Sequence, residues 1–394
     1  MKSKYTFVLS CTLLLLSIGC SNKVDRVGSV TVSNPLEMDR FFETVEINLK
    51  TFNVEVDTAK TYTIVDIGTG KDLVSQAVDI DGDGILDQLL FQPEIKARTE
   101  KTFDIVLSDK KMDQDSLPAC YSRFVPERTD DYAWENNRVA FRTFGPVAQK
   151  MVEDSIPGGT LSSGIDAWLK RVERPIINSW YRKELETDGT YHEDTGEGLD
   201  NFHVGASRGV GGVAVKVDSS YYVSKNFTSW QRLRNGPIRT SFVLSYADWD
   251  AQGKTISEEK HISLDYGSNL ARFEIDIQGT DTIAVGLTLH EKDGKALAMP
   301  EEGWASYWEP HEDSELGTGI VSPKGFMLGY DNYITEKTDL SNLYIYLKTE
   351  EGKVIYYAGF GWKKSGQFNT AKEWEDYLAI FAQKINNPLE VTVH

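Results

Sequence analysis

Cysteine and positive charge are both scarce in this chain of 394 residues. Of its three cysteines, only Cys120 remains once a leader ending at Cys20 is set aside. An exported chain without a cysteine pair forms no intrachain disulfide, so it must be held together by its core. Asp and Glu number 60 against 42 Lys and Arg, which gives a formal net charge of −18. This balance excludes non-specific binding to nucleic acid.

Several motifs that identify enzyme classes are also missing. The sequence has no HExxH, no cysteine cluster, no P-loop and no G-x-S-x-G elbow. The glycine-rich run GASRGVGG neither follows a βαβ strand pattern nor opens a helix, so it does not indicate a dinucleotide site. The sequence thus gives only weak support for a zinc site, and we expect no cofactor, with a structural calcium ion as the one alternative.

The first twenty residues predict a lipoprotein signal peptide. Lys2 and Lys4 precede an apolar run over 7–18, and Ser-Ile-Gly-Cys at 17–20 resembles a bacterial lipobox. The run is too short to span a membrane. We expect a lipid on Cys20 that tethers the protein to the periplasmic face of a bacterial membrane, with the outer membrane as one option. The alternative is an ordinary signal peptide with a chance cysteine.

Strand patterns dominate the rest of the chain. Segments such as TYTIVDI, KTFDIVLS, ARFEIDIQG and NLYIYLKTE alternate or run in β-branched and aromatic residues between turn residues. They predict a mostly β protein, with a linker at 21–30, a small β-sandwich at 31–118 and a larger β domain at 119–394. Helical patterns are few: 370–384 is the clearest, and 146–153 and 166–174 are weaker.

An acidic turn in the first unit has the composition of a calcium loop. Asp79, Asp81, Asp83 and Asp87 alternate with small residues in DIDGDGILD. The EF-hand pattern then requires a glutamate where this chain has Leu90, and the flanks read as strands. We favour an acidic hairpin turn, with a structural calcium ion as the alternative.

Two arginines follow in residues 134–146, WENNRVAFRTFGP. In a strand, positions 138 and 142 share one face, so Arg138 and Arg142 are candidates for jointly binding a carboxylate or sulfate. The alternative is that they form ion pairs with the many acidic residues.

The glycine-rich stretch 191–212, YHEDTGEGLDNFHVGASRGVGG, is the strongest candidate site. It holds His192 and His203, whose imidazoles titrate near neutral pH, together with the charged residues Glu197, Asp200 and Arg208. His311 lies beside Trp308 in YWEPHED and is a third candidate histidine. For each, the alternative is a structural hydrogen bond or ion pair.

Five segments together resemble a known family. They are residues 79–93, 134–146, 164–172, 191–212 and 235–242. This combination resembles the family catalogued as domain of unknown function 4861, over nearly the whole chain after the leader. The later strands are similar to the supersandwich of galactose mutarotases and several polysaccharide lyases. The resemblance implies a dehydratase that removes water from a terminal uronic acid of anionic oligosaccharides, ulvan-like or pectin-like, leaving an unsaturated uronyl end.

Such an elimination needs a base for the C5 proton, a group that neutralises the carboxylate, and an acid for the departing hydroxyl. We assign these catalytic roles to residues of the central stretch and of Trp180-Tyr181-Arg182. The catalytic candidates are His192, His203, Tyr181 and Arg208. The sugar-binding candidates are Arg138, Arg142, Glu197, Asp200, Trp308 and His311.

Two other functions fit the same sequence. One is a glycoside hydrolase with paired carboxylates, Glu197 with Glu309 or Asp200. The other is a non-catalytic glycan-binding lipoprotein, in which Trp304, Trp308 and Trp362 stack on sugars.

Overall fold

A computed structural model describes residues 25–52, 61–80, 83–108 and 119–394. Cys20 and the predicted signal peptide lie outside these ranges, as do Asp81 and residues 109–118 next to the predicted domain boundary. None of the helices in the described part of the chain combines the length and apolar character that a membrane-spanning helix requires.

Antiparallel strands are the commonest regular structure in the described chain. Those of the first unit are β1 (Asp25–Ser33), β2 (Val45–Asn48), β3 (Thr61–Asp66), β4 (Lys71–Leu73), β5 (Ser75–Val78), β6 (Gln88–Phe91) and β7 (Glu100–Ser108). Those of the middle segment are β8 (Tyr121–Val125), β9 (Asp131–Glu135), β10 (Ala140–Thr143), β11 (Asp166–Lys170) and β12 (Gly198–Leu199). The remaining strands are β13 (Val210–Val217), β14 (Ser220–Tyr222), β15 (Ser229–Arg234), β16 (Arg239–Ser245), β17 (Trp249–Ala251), β18 (Lys254–Asp265), β19 (Leu270–Gln278), β20 (Thr282–Thr288), β21 (Lys295–Met299), β22 (Trp304–His311), β23 (Ser314–Val321), β24 (Met327–Tyr333), β25 (Asn342–Lys348), β26 (Lys353–Trp362) and β27 (Glu390–Val393).

The first unit is a β-sandwich of two sheets. One sheet has the order β27-β1-β7-β3-β4 and the other has the order β2-β6-β5. Alternate residues of their strands point inward and pack together, among them Val30, Ile64, Phe91 and Phe103. β1 begins inside the range 21–30 that the sequence analysis assigned to a linker, because residues from Asp25 onward pair with β7. β27 comes from the far end of the chain and pairs with the other edge of β1.

The large unit packs two five-stranded sheets on one nine-stranded sheet. The smaller sheets have the orders β12-β11-β10-β9-β8 and β14-β13-β20-β25-β24. The large sheet runs β15-β16-β18-β19-β26-β23-β22-β21, with β17 on β18. One apolar core joins all three sheets through residues such as Phe141, Val285 and Phe273. The predicted fold class, mostly β with a small sandwich and a large supersandwich, is confirmed.

Three α-helices accompany these sheets: α1 (Pro146–Glu153), α2 (Ile177–Glu186) and α3 (Ala371–Asn386). α1 and α3 match the predicted helices, and α3 places Trp374 and Leu378 against the large sheet. The helix predicted at 166–174 is wrong. Residues 166–170 form strand β11, which lies between β12 and β10 and whose side chains are all buried, so contact with neighbouring strands overrides the local pattern.

Candidate functional site

A cavity of about 570 Å³ opens where the middle sheet meets the glycine-rich stretch. It is lined by the end of β10, the start of β11 and the loops that flank β12. Polar groups of three types face it together: arginine, carboxylate and imidazole. These polar groups belong to Arg128, Arg142, Asp166, His192, Asp200 and His203.

Arg142 occupies the floor of this cavity and is almost fully enclosed by acidic partners. The register of β10 and β11 places it opposite Asp166, and its Nη2 donates to Asp166 Oδ2 at 2.5 Å and to Asp200 Oδ2 at 2.9 Å. Its Nη1 donates to the Tyr191 hydroxyl at 3.1 Å and lies 3.8 Å from Asp131 Oδ2. One cation therefore faces three buried carboxyl groups.

Two of these buried carboxyl groups have raised pKa values and so keep their protons to higher pH than usual. Burial raises the pKa of Asp131 to about 6, against the opposing effect of Arg142. Burial, with the nearby Asp200, raises the pKa of Asp166 to about 8. The single positive charge of Arg142 cannot neutralise all three of these carboxyl groups, which are shielded from water. At least one carboxyl of the cluster therefore stays protonated at neutral pH.

Arg128 lies at the same cavity but is differently partnered. It ends a short 3₁₀ turn, Pro126–Arg128, and is followed by Thr129 and Asp130, both with left-handed φ values of 51° and 67°. The backbone that follows this turn passes close to Gly145. Glycine is required at position 145 because a Cβ on it would lie 2.0 Å from Asp130 O. The half-exposed Arg128 guanidinium donates to Thr129 Oγ1 at 2.9 Å and also interacts with the Tyr191 hydroxyl. Its charge acts on the buried Asp131 and favours the ionised form, but it forms no direct ion pair with a carboxylate among the described residues.

His192 projects from the loop before β12, with 55% of its side chain exposed. Its Nδ1 lies 2.5 Å from the carbonyl oxygen of Asp200. A carbonyl only accepts hydrogen bonds, so Nδ1 carries the proton in the neutral ring and Nε2 holds the lone pair. Tyr191 packs against the ring. His192 therefore has the orientation that a proton acceptor requires.

His203 lies on another side of the cavity, with 70% of its side chain exposed. Its Nε2 lies 3.0 Å from Asp339 Oδ2, so the carboxylate orients the ring toward this partner. The close approach of Asp339 depends on Gly205, whose φ is 50° and whose added Cβ would clash with Asp339 Oδ2 at 1.9 Å. The two predicted histidines thus reach one cavity with different partners.

Three other residues of the predicted site do not line the cavity. Tyr181 is buried, and its hydroxyl donates to Asp131 Oδ2 at 3.1 Å; burial raises its pKa well above the usual range. Arg208 is also buried, and its guanidinium donates to Ser163 Oγ and to the carbonyl of Ala206. Glu197 binds Arg174 and the indole nitrogen of Trp180. All three support the walls of the site from within the fold.

Arg138 and Arg142 do not share a ligand, contrary to the prediction. Arg138 precedes β10 in a turn that the Asn136 side chain closes by accepting from the backbone of Arg138 and Val139. Arg138 therefore lies outside the strand whose alternation the prediction assumed. It faces a second cavity, between the two units, and lies over the ring of Phe42.

The tryptophans expected to stack on sugars are inside the protein. Trp304 and Trp308 are buried between the large sheet and α3, and Trp362 is buried in the main core. The alternation of β22 and β26 sends these rings inward, and α3 covers one group of them. The interpretation of these residues as an exposed sugar platform is therefore not supported by their positions.

His311 and the acidic turn lie away from this cavity. His311 is buried beside His290 and Glu309, where burial lowers its pKa to about 4. In the described part of the acidic turn, Asp79 accepts from Gly84 N, Asp83 accepts from Ile85 N, and Asp87 pairs with Lys50. Calcium binding by this turn stays a prediction.

Sequence reasoning missed Arg128 and Asp166. Asp166 lies in a segment that was interpreted as a helix, and Arg128 lies in the unremarkable run VPERTDD. Asp166 also lies in residues 164–172, one of the segments that resemble the family, but no role was assigned to it there. Asp166 and Asp200 bind Arg142, and only the fold brings these three residues together.

Comparisons with known proteins agree with the resemblance found in the sequence. A family model described as a domain of unknown function (DUF4861) matches residues 32–391. "Uncharacterized protein P7" of Formosa agariphila is 56% identical over 389 residues, which cover 98% of each chain.

Two solved structures from Enterococcus faecalis are more distant. A protein in glycosyl hydrolase family 38 has a TM-score of 0.47 at 11% identity, over 95% of this chain and 48% of its own. An alpha-mannosidase of strain V583 has a TM-score of 0.43 at 12% identity, over 93% and 46%. This chain thus spans about half the length of either structure. From the family match and the 56% identical relative, we conclude that the chain belongs to the DUF4861 family.

Proposed function

We propose that this protein is a carbohydrate-active lyase that removes water from a terminal uronic acid of an anionic oligosaccharide. The observation that carries the proposal is the cavity in which Arg128, without a carboxylate partner among the described residues, accompanies two exposed histidines. In a chain with a net charge of −18, an arginine left available at a cavity is a specific receptor for an acidic ligand.

The proposed chemistry uses three of these side chains. Arg128 binds the uronate carboxylate and so stabilises the negative charge that develops when C5 loses its proton. His192 accepts that proton at Nε2, and the electron pair forms the C4–C5 double bond. The C4–O bond breaks, and His203, in its protonated form, gives a proton to the departing hydroxyl, which leaves as water. No oxidant or reductant is consumed.

Arg142 acts in this proposal as a positioning residue. It holds the carboxylate of Asp200, and the carbonyl of Asp200 accepts the Nδ1 proton of His192. This chain fixes the ring orientation and the tautomer of His192. Arg208 was predicted to pair with the substrate carboxylate, and Arg128 takes that role in this proposal. Of the two predicted partner acid–base groups, Tyr181 and His203, the proposal uses His203, which lines the cavity.

The test is incubation with saturated uronate-terminated oligosaccharides, read by mass spectrometry for loss of one water and by near-ultraviolet absorbance of the conjugated product. His192→Gln should reduce turnover by about a hundredfold to ten-thousandfold. His261→Gln is the matched control, because His261 is partly exposed on β18 and does not line the cavity. Turnover by His192→Gln at the control rate would remove this residue from the mechanism.

A glycoside hydrolase is the second candidate, since Asp166 and Asp200 both line the cavity. Their Oδ2 atoms bind the same nitrogen of Arg142, whereas a hydrolase needs carboxyl groups that flank the scissile bond. The originally suggested partners Glu197 and Glu309 do not line the cavity at all. Cleaved saturated sugars without a loss of water would favour this candidate.

The proposed location is the periplasmic face of a bacterial membrane, through a lipid on Cys20. It rests on the leader sequence alone, since Cys20 lies outside the described residues. A Cys20→Ala variant should leave the membrane fraction; partition with membranes at the unmodified level would contradict the anchor.

A further inference from the structure

A second group of acid–base side chains lies behind the cavity. His290 follows β20, and Glu309 and His311 alternate on β22, so both point to the same side of that strand. Each of the three residues offers a ligand atom within 4.8 Å of the others. None lines the cavity itself, and the proposed elimination does not use them.

These side chains are buried with polar atoms that have no partner. Glu309 is 1% exposed and His311 is 7% exposed. Among the described residues, no hydrogen bond reaches His290 Nε2, Glu309 Oε2 or His311 Nε2. Buried polar atoms are almost always satisfied, because leaving one unpaired costs the full desolvation of that atom. Three such atoms on imidazole and carboxylate groups in one cluster make it a candidate for binding a further group.

The contacts that do exist orient the cluster. His290 Nδ1 hydrogen-bonds Glu309 Oε1, and the ring of His311 interacts with the backbone of Asn201. A metal-binding histidine normally uses its second ring nitrogen in this way, which fixes the ring and directs the other nitrogen at the ion. The unpaired nitrogens of His290 and His311 are the second nitrogens of these two rings.

We propose that His290, Glu309 and His311 bind a divalent transition-metal ion, with Zn²⁺ as the best match. Two imidazoles and one carboxylate form the donor set that Zn²⁺ takes, with a fourth position left for water. Calcium and magnesium prefer sites made of oxygen alone. The acidic turn at Asp79 is of that oxygen type, so the two sites differ in chemistry.

The metal would stabilise one wall of the cavity. Phe202 packs edge-on against His290, with ring centroids 4.6 Å apart, and lies near His311. Asn201 and Phe202 both line the cavity. A metal that fixes the two histidines therefore also fixes the segment between Asp200 and His203.

The chain offers a matched control in Glu259, His261 and Asp276. These residues also bring their ligand atoms within 4.8 Å, but they are partly exposed on the large sheet, where Lys353 pairs with Asp276 at 2.7 Å and Ser245 donates to Glu259 at 2.8 Å. Solvent and existing partners already satisfy them, so they should not bind the ion tightly.

The test uses untagged protein, stripped with a chelator and then titrated with Zn²⁺, with bound metal measured after equilibrium dialysis. We expect one ion per chain and a melting temperature several degrees higher with Zn²⁺ than without. Glu309→Gln and His290→Gln should weaken binding by at least about ten- to hundredfold, and His261→Gln should bind like the unmodified protein. Co²⁺ in place of Zn²⁺ should give the visible absorption of a site with nitrogen ligands.

Binding of no Zn²⁺ by the stripped, folded protein would overturn the proposal, and water would then complete the cluster. Equal loss of binding in His261→Gln would assign the ion to the exposed group instead. The unmodified protein is sufficient for the first result, so the test does not depend on the variants folding. Metal binding is measured without substrate, so its outcome is independent of the proposed elimination.

Discussion

Arg142 and Arg128 line the same cavity, yet the fold uses their charges in opposite ways. Arg142 has 8% of its side chain exposed and faces Asp131, Asp166 and Asp200. Arg128 is half-exposed and donates to the hydroxyl of Thr129. Arg142 is held by buried carboxyl groups, whereas Arg128 forms no ion pair with a carboxylate of the described residues. The proposed role of Arg128 in ligand binding rests on this difference.

Replacing each arginine by methionine should reveal the largest difference between the two sites, in the free energy of unfolding. Arg142→Met leaves three buried carboxyl groups without their cation, so the free energy of unfolding should fall by about 3–5 kcal/mol. Arg128→Met removes no ion pair among the described residues and should change stability by less than about 1 kcal/mol. Denaturant unfolding of both variants measures this difference, and equal losses would show that the two sites are not distinct.

The stability of the unmodified protein should depend on pH because of the same acidic cluster. The pKa values of Asp131 and Asp166 are raised in the folded protein, to about 6 and about 8. Between their usual values and these raised ones, the unfolded chain releases protons that the folded chain keeps. Their contribution to stability is therefore complete at low pH and is lost as pH rises through about 6 to about 8.

Asp166→Asn separates this effect from other titrating groups. An amide cannot ionise, so melting temperatures measured from acidic to mildly alkaline pH should fall less steeply in the variant than in the unmodified protein. Arg142, Asp131, Asp200 and Tyr191 face the same position and stay unchanged. Parallel curves for the two proteins would contradict the raised pKa of Asp166.

Arg128→Gln tests whether Arg128, unlike Arg142, acts on the substrate rather than on stability. If Arg128 binds the substrate carboxylate, kcat/KM for a uronate-terminated substrate should fall by about ten- to hundredfold, the value of one charge-assisted hydrogen bond. The melting temperature should stay near that of the unmodified protein. Arg128→Lys keeps the charge without the planar fork and should recover part of the loss. Unchanged kcat/KM in Arg128→Gln would exclude this role.

The smallest effect is expected for Tyr181→Phe. The change removes the hydrogen bond from the tyrosine hydroxyl to Asp131 and should cost about 1 kcal/mol of stability. Because Tyr181 does not line the cavity, turnover of the folded variant should be unchanged in a dehydration assay. A large loss of turnover without loss of stability would return Tyr181 to the catalytic group.

Local patterns predicted much of the fold. The alternation in TYTIVDI and ARFEIDIQG identifies β3 and β19, and the apolar spacing of residues 370–384 identifies α3. α2 escaped because its N-terminus has no capping side chain of its own. The carboxylate of Glu135, on β9, accepts instead from the backbone of Ile176 and Ile177 at 2.9 Å. A cap supplied from another strand leaves no trace in the local sequence.

Most of the predicted residues that line the cavity come from one segment, and Arg142 is the exception. His192, Asp200 and His203 lie within a single glycine-rich stretch, and the fold brings them to one cavity. Arg208 belongs to the same stretch but turns inward, and no local pattern distinguishes the two directions. Arg128 and Asp166 join the site through strand register and loop packing, which depend on contacts distant in sequence.

The pairing of β27 with β1 imposes an order on biosynthesis. The inner strands of the first sheet emerge early from the ribosome, but residues 390–393, which complete it, are made only after the large unit. Until then the free edge of β1 offers unpaired backbone groups to other chains. The first unit is thus completed only after the large unit has been made. A chain interrupted before Glu390 would therefore leave the edge of β1 unpaired and prone to pairing with other chains.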